Sequence, residues 1–129
     1  ITGFGFNKGA MASTVAHDSH NLICIGTSDE DMARVINSLV ENKGGIAVTD
    51  GHNLDVLPLP VAGLMGNADG YVVAAKYEAI NHKARALGGS LQAPFMTMSF
   101  MALLVIPELK LSDQGLFDGT KFAFTNLFE

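Results

Sequence analysis

The chain has 129 residues, of which 48% are apolar and 16% are charged, and its formal net charge is −5. This length predicts a single domain with its own core, and the scattered Lys and Arg residues lack the basic stripe that a nucleic-acid partner needs. Because about a quarter of the residues in a free-standing domain are charged, the sparse charge predicts a surface covered by the rest of a longer chain or by a second copy in a homo-oligomer.

The first predicted element is a hairpin around a dense group of polar residues. Small and β-branched residues lead into His17-Asp18-Ser19-His20-Asn21, and the apolar run Leu22–Ile25 follows at once. This order predicts a strand, a turn that holds the polar residues, and a second strand. We call residues 17–21 the polar loop. Its clustered imidazoles favour a functional site, although Asx and Ser residues also close purely structural turns, and that alternative stays open.

The only cysteine, Cys24, lies inside the second predicted strand and has no partner for an intrachain disulfide. An inert thiol in a reducing compartment is the simplest interpretation. A Cys–His–Asp hydrolase is disfavoured, since a reactive thiol usually lies at a helix start or beside a cation. With no signal-peptide pattern at the N-terminus, we predict a cytoplasmic protein.

A helix is predicted directly after the hairpin. Ser28 can cap it, and the acidic residues 29–31 fall in the first turn, where the helix dipole favours them. Apolar residues then follow at helical spacing, namely Met32, Val35, Ile36, Leu39 and Val40. Residues 42–45 end the helix, and residues 46–49 form the next strand. This strand–helix–strand order predicts a crossover with parallel pairing.

The middle of the chain predicts a turn, an edge strand and a second helix. Residues 50–53 have turn composition, and the prolines in Leu54–Pro60 confine that strand to a sheet edge. A tight packed loop is predicted at residues 61–66. The second helix is predicted over about 68–87, and its expected buried face consists of Val72, Ala75, Ala79, Ile80 and Leu87.

The last third of the chain is the most ambiguous. Residues 95–106 have almost no polar side chain, and periodicity does not separate a buried helix from a buried strand, so we predict one or two helical turns and an extended end. The longest nearly apolar run, Phe100–Pro107, is too short to cross a bilayer. Residues 109–118 alternate and turn, and residues 122–125 form a closing strand. Together the elements predict one compact α/β or α+β domain over residues 1–129, with a mixed β-sheet and two to three packed helices.

A metal site held by this chain alone is one interpretation of its histidines. His17, Asp18 and His20 are residue types that suit a divalent transition metal ion, and His52 and His82 are the remaining imidazoles that would complete a shell. Their spacing does not bring them together. His52 beside a glycine is typical of a plain turn, and His82 lies near the predicted end of a helix. We therefore assign no metal ligand to this chain, and the usual phosphate-loop and zinc-helix motifs are missing from its sequence.

Four stretches together resemble the C-terminal domain of adenine deaminase, the amidohydrolase-type enzyme. They are residues 3–10 (GFGFNKGA), 13–21 (STVAHDSHN), 57–65 (LPLPVAGLM) and 106–116 (IPELKLSDQGL). They follow the family's order and span nearly the whole chain. The resemblance implies a hydrolase that converts adenine to hypoxanthine and ammonia in purine salvage or adenine catabolism. It also implies that this chain is a fragment of a longer polypeptide, in line with a start at isoleucine instead of methionine.

The resemblance further implies a metal-containing (β/α)8 barrel ahead of this domain. Members of the family activate water with Mn²⁺ or Fe²⁺ in that barrel, so this chain alone is expected to be inactive. We predict that the polar loop faces the barrel mouth, with His17, Asp18 and His20 as catalytic candidates and Ser19 and Asn21 as candidates for binding adenine. The alternative is a non-catalytic structural or oligomerisation module.

Overall fold

Residues 3–128 are described by a computed structural model, in which a four-stranded sheet lies between helices. The elements are, in chain order, β1 (Ala10–Ser13), β2 (Ile23–Gly26), α1 (Asp29–Glu41), β3 (Gly45–Thr49), β4 (Leu54–Pro58), α2 (Gly70–Arg85), α3 (Pro94–Ser99), a 3-10 helix (Phe100–Ala102), β5 (Leu109–Ser112), β6 (Gly115–Asp118) and β7 (Ala123–Thr125). The predicted fold class, a single domain of helices and strands with two to three helices, is confirmed.

The first sheet has the order β2-β1-β3-β4, and every pair of neighbours is antiparallel. The predicted parallel pairing across the α1 crossover is wrong. β2 and β3 do run in the same direction, because each is antiparallel to β1, but β1 lies between them. The edge position predicted for the proline-containing strand is confirmed, since β4 ends the sheet.

The two faces of the sheet pack against different helices because side chains alternate along each strand. One face carries the small residues Ala10, Ala12 and Ala47, which let α1 pack closely through Val35 and Leu39. The predicted cap of α1 is confirmed: the Ser28 hydroxyl accepts a hydrogen bond from the Asp31 N–H at 3.2 Å. The predicted apolar stripe is wrong at its end, where Val40 is 65% exposed.

The opposite face is lined by larger residues and is covered by α2 and α3. Its core includes Met11, Ile46, Val48, Leu57, Ile80, Ala84, Leu87, Phe95 and Met98. The predicted buried face of α2 is right for Ile80 and Leu87 and wrong for Val72, Ala75 and Ala79, which are exposed. The helix carries two neighbouring apolar stripes, and the one through Val73 and Tyr77 packs against the core.

The C-terminal residues form a second, separate sheet, whereas one sheet was predicted. Its order is β5-β6-β7, with antiparallel neighbours. Before it, the predicted helical turns are confirmed by α3 and the 3-10 helix. The predicted extended end is wrong, because only Leu103 is extended and residues 104–106 turn back, with the Ile106 N–H donating to the Leu103 carbonyl. Within residues 3–128 there is no helix with both the length and the apolar character to cross a membrane.

Candidate functional site

The polar loop connects β1 to β2 and lies at one end of the first sheet. Thr14, just before the loop, ties that end together. Its hydroxyl donates a hydrogen bond to the Gly63 carbonyl at 2.6 Å and accepts one from the Gly45 N–H at 2.9 Å. The tight turn from Val61 to Met65 therefore borders the same end of the sheet as the polar loop.

The polar loop is held by its backbone, which leaves its side chains exposed. The His17 N–H donates to the Ser99 carbonyl at 3.1 Å, and the Asn21 N–H donates to the Ser19 carbonyl at 2.9 Å. Asp18 adopts a positive φ of 81°, a conformation that Asp tolerates better than most residues. The side chains of all five loop residues are exposed. The loop thus exposes imidazole, carboxylate, hydroxyl and amide groups together at this end of the sheet.

The two histidines of the loop have different surroundings. The His17 ring packs on the Phe100 ring with a centroid separation of 4.0 Å and an interplanar angle of 32°. The His20 Nδ1 accepts a hydrogen bond from the Ala16 N–H at 3.3 Å, so its neutral ring carries the proton on Nε2. His17 is therefore positioned by an aromatic contact, whereas the His20 ring supports the loop backbone.

A cavity of about 140 Å³ opens beside His17. It lies between the first sheet and the helices α2 and α3, and it is lined mainly by apolar groups with a few hydroxyls. The lining includes Val15, Ile46, Tyr77, Phe95 and Ser99. A space of this size holds a single small ring or a branched side chain. The imidazole of His17 is therefore placed at the mouth of an apolar recess.

The other two histidines lie away from the polar loop. Ser13 pairs with Ile46 at the start of β3, so the turn at residues 50–53, which follows the end of β3, lies at the opposite end of the sheet. His52 belongs to that turn, as predicted. The Asn53 and His52 N–H groups hold the pKa of Asp50 well below its ordinary value. His82 lies in the last turn of α2, also as predicted.

The described residues 3–128 contain no group of three or more His, Cys, Asp or Glu side chains that could hold a metal ion. His17, Asp18 and His20 are neighbours in sequence, but they gather no further ligand. Among residues 3–128, the donor set does not fit a metal centre held by this chain alone.

Cys24 lies in β2 as predicted, and it is partly buried. Burial raises the pKa of its thiol from 9.0 to about 11. The thiol is therefore protonated at neutral pH, which agrees with the prediction of an inert side chain and not with that of a nucleophile.

At pH 8 we expect iodoacetamide to modify Cys24 of the folded chain about 100-fold more slowly than an ordinary cysteine, because the thiolate fraction falls tenfold per pKa unit. Mass spectrometry of the modified protein over time measures the rate. The folded state holds this proton more tightly than the unfolded state, so the associated stability is complete below pH 9 and is lost as the pH rises towards 11. The urea-unfolded chain is the control, and a folded-state rate that already levels off near pH 9 would contradict the assignment.

Sequence reasoning missed the residues that hold the polar loop. Thr14, Gly63, Ser99 and Phe100 come from separate parts of the chain, and no local pattern links them. One sequence signal does point to this region, namely the family resemblance. The stretches 13–21 and 57–65 both carry that resemblance, and they lie at the same end of the sheet. A third stretch, 106–116, reaches the loop through β5, which shares a groove with Asn21.

Comparisons with known proteins identify the family of this chain. The family model described as the adenine deaminase C-terminal domain matches residues 1–123. A protein named adenine deaminase from Methanosarcina barkeri is 59% identical over 128 residues, which are 99% of this chain and 23% of that protein. Others with the same name, from Sulfurovum sp. and Methanothermobacter thermautotrophicus, are 54% and 52% identical over 96% and 100% of this chain, and each match covers 24% of the relative. The chain belongs to the adenine deaminase C-terminal domain family.

Proposed function

We propose that this chain is the C-terminal domain of an adenine deaminase that hydrolyses adenine to hypoxanthine and ammonia. The family match supports this proposal, as does the share of the relatives that it covers, about a quarter of their length. The active site of the full protein is then built with an N-terminal barrel, which binds Mn²⁺, Fe²⁺ or another divalent ion. This domain contributes the polar loop, which helps to close that site over the purine.

One observation carries the role of the loop. Its five polar side chains are exposed together at the end of the sheet, while backbone hydrogen bonds fix their position. A loop that is fixed in place and has exposed polar side chains is suited to completing a site on a facing domain, because little ordering is needed on closure.

The proposed roles follow from the chemistry of hydrolysis. Water adds at C6 of adenine, the bond from C6 to the exocyclic nitrogen breaks, and the leaving amine must gain a proton to depart as ammonia. Within the polar loop, the imidazoles of His17 and His20, with Asp18 between them, are the candidates for donating that proton as a general acid. Ser19 and Asn21 supply the hydroxyl and the amide that can hydrogen-bond the purine edge.

The proposal extends to the setting of the enzyme. A lone cysteine with a protonated thiol suits a reducing compartment, and we place the enzyme in the cytoplasm, in purine salvage or adenine catabolism. A homo-oligomer is proposed because the sequence has so few charged residues to cover its surface.

The second candidate function is a structural or oligomerisation module without a direct part in catalysis. The exposed apolar side chains of the C-terminal sheet favour it: Leu111 is 78% exposed and Phe124 is 54% exposed. In that case the polar loop only closes a hairpin, and its side chains are dispensable for turnover.

The full-length protein, loaded with Mn²⁺, is expected to release ammonia from adenine and to form hypoxanthine in equal amount. Chelation should abolish the activity and added Mn²⁺ should restore it, since the proposed water activation depends on a divalent ion. Coupled ammonia detection and chromatography of the purines measure the two products. The isolated chain of 129 residues is the control and is expected to be inactive. A metal-loaded full-length protein that leaves adenine unchanged would refute the proposed activity.

A further inference from the structure

The second sheet has large apolar side chains exposed on both faces. In the β5–β6 and β6–β7 registers, Leu109, Leu111 and Leu116 share one face, and Phe117 and Phe124 share the other. Leu109 is 53% exposed and Leu111 is 78% exposed. Within the part of the chain that the structure describes, the 3-10 helix is the element that makes substantial contact with this sheet, through β5. A small sheet is stable in water when it has a hydrophobic face or packs against a helix, and the exposed leucines leave part of this apolar surface uncovered.

An open groove of about 500 Å³ runs along β5, the edge strand of this sheet, and residues from both faces of the strand line it. Asn21 and Leu22 form its other wall, so the groove begins at the end of the polar loop. Its lining consists of Asn21, Leu22, Ile23, Met101, Ala102, Leu109, Lys110 and Leu111. Lys110 is the one charged side chain in that lining, and its ammonium lies 3.4 Å from the carbonyl oxygens of Pro107 and Leu109. The groove thus has apolar walls and a single positive charge.

We propose that this groove and the adjoining Leu109–Leu111 face are the docking surface for the N-terminal remainder of the same polypeptide. The inference rests on the proposed function, in which this chain is one domain of a longer enzyme. The relatives have a long remainder that could occupy this surface, because the matched 128 residues make up only 23% of the length of the M. barkeri protein. The surface fits an apolar segment that brings one acidic side chain to Lys110.

The position of the groove favours the same polypeptide over a second copy. Asn21 belongs both to the polar loop and to the groove wall. A partner seated on Leu111 therefore fixes the loop next to that partner, as closure over a neighbouring active site requires. A covalently linked domain also needs few contacts, because linkage raises its effective concentration to roughly the millimolar range.

Photo-crosslinking in the full-length protein tests the inference. We would place p-benzoylphenylalanine at position 111, at position 22 on the other wall, and at position 40 as the control. Val40 is similarly exposed, at 65%, but lies on α1, on the opposite side of the first sheet. Crosslinks from 111 and 22 are expected to join the N-terminal part of the same chain, with a yield several-fold above that at 40. Lys110→Glu should lower the yield several-fold, and Lys110→Arg should preserve it.

Crosslinks between two subunits at position 111 would overturn the inference in favour of a second copy. Equal yields at 111, 22 and 40 would overturn it as well, and so would a yield that is unchanged by Lys110→Glu. The crosslink is read by mass spectrometry and does not depend on turnover. A full-length protein that crosslinks as expected but leaves adenine intact would refute the proposed activity alone, whereas an active enzyme without these crosslinks would refute the docking surface alone.

Discussion

Replacing His17 with alanine in the full-length enzyme is expected to lower kcat for adenine by about 100-fold or more, the range for loss of a general acid or base. The ring is exposed and packs on Phe100 alone among the aromatic residues described, so its removal should leave the free energy of unfolding almost unchanged. His20→Ala should lower kcat too, but it should also destabilise the loop, because the Ala16 N–H loses its acceptor. Steady-state kinetics and urea unfolding separate the two effects.

His52→Ala is the matched control for these variants. His52 is also an exposed histidine in a turn, but it lies at the other end of the sheet. Its kcat and KM should match those of the unmodified enzyme. If alanine at 17, 18 and 20, one at a time, left both constants unchanged, the catalytic role of the polar loop would be refuted and the structural module would stand. Equal losses in the His52 variant would show a general effect on folding.

Gly44→Ala is expected to destabilise the fold strongly, although the substitution is small. Gly44 follows α1 and closes it, since its N–H donates to the Leu39 carbonyl at 2.8 Å, and its φ is 116°. An alanine Cβ there would lie 2.4 Å from the Gly63 Cα, so backbone must move. The strained φ alone costs roughly 1 to 3 kcal/mol, and displacement of the 61–65 turn adds to that loss. Urea unfolding of the chain should show a lower midpoint with the same slope.

Gly70→Ala supplies the comparison for Gly44→Ala. Gly70 is the first residue of α2, and an added Cβ would meet no atom within 4 Å. Here the substitution reduces the freedom of the unfolded chain without strain, so the free energy of unfolding should rise by about 0.4 to 1 kcal/mol. Similar losses for the two variants would contradict the assigned close approach of Gly44 and Gly63.

The elements that the sequence predicted well depend on neighbouring residues. The start of α1 follows from a capping serine and three acidic residues, and the polar loop follows from polar residues between two apolar runs. Helix caps and turns form between residues that are only a few positions apart, so they can be predicted from the sequence. The order of strands in a sheet depends instead on residues that are distant in sequence. Whether β1 lies between β2 and β3 depends on which edges meet in three dimensions, and the parallel pairing was predicted wrongly for that reason.

The buried face of α2 and the supports of the polar loop show the same limit. Val72 and Val73 both begin an apolar stripe, and only the docking of the helix on the sheet decides which is buried. The residues of the polar loop could be identified from their residue types. Their contacts with Ser99 and Phe100 could not be predicted, because α3 and the 3-10 helix are distant in sequence and their own residues do not indicate a partner. The catalytic and substrate-binding roles assigned to the loop stay predictions.

Phe100 connects the polar loop to the second sheet. Its ring supports the imidazole of His17, and it begins the short helical turn that touches β5. A displacement of β5 would therefore move the 3-10 helix, and with it the Phe100 ring on which the His17 imidazole packs. We therefore expect the position of the His17 ring to depend on how firmly β5 packs against the 3-10 helix, so truncation of the chain before β5 should shift this ring even though Phe100 itself is kept.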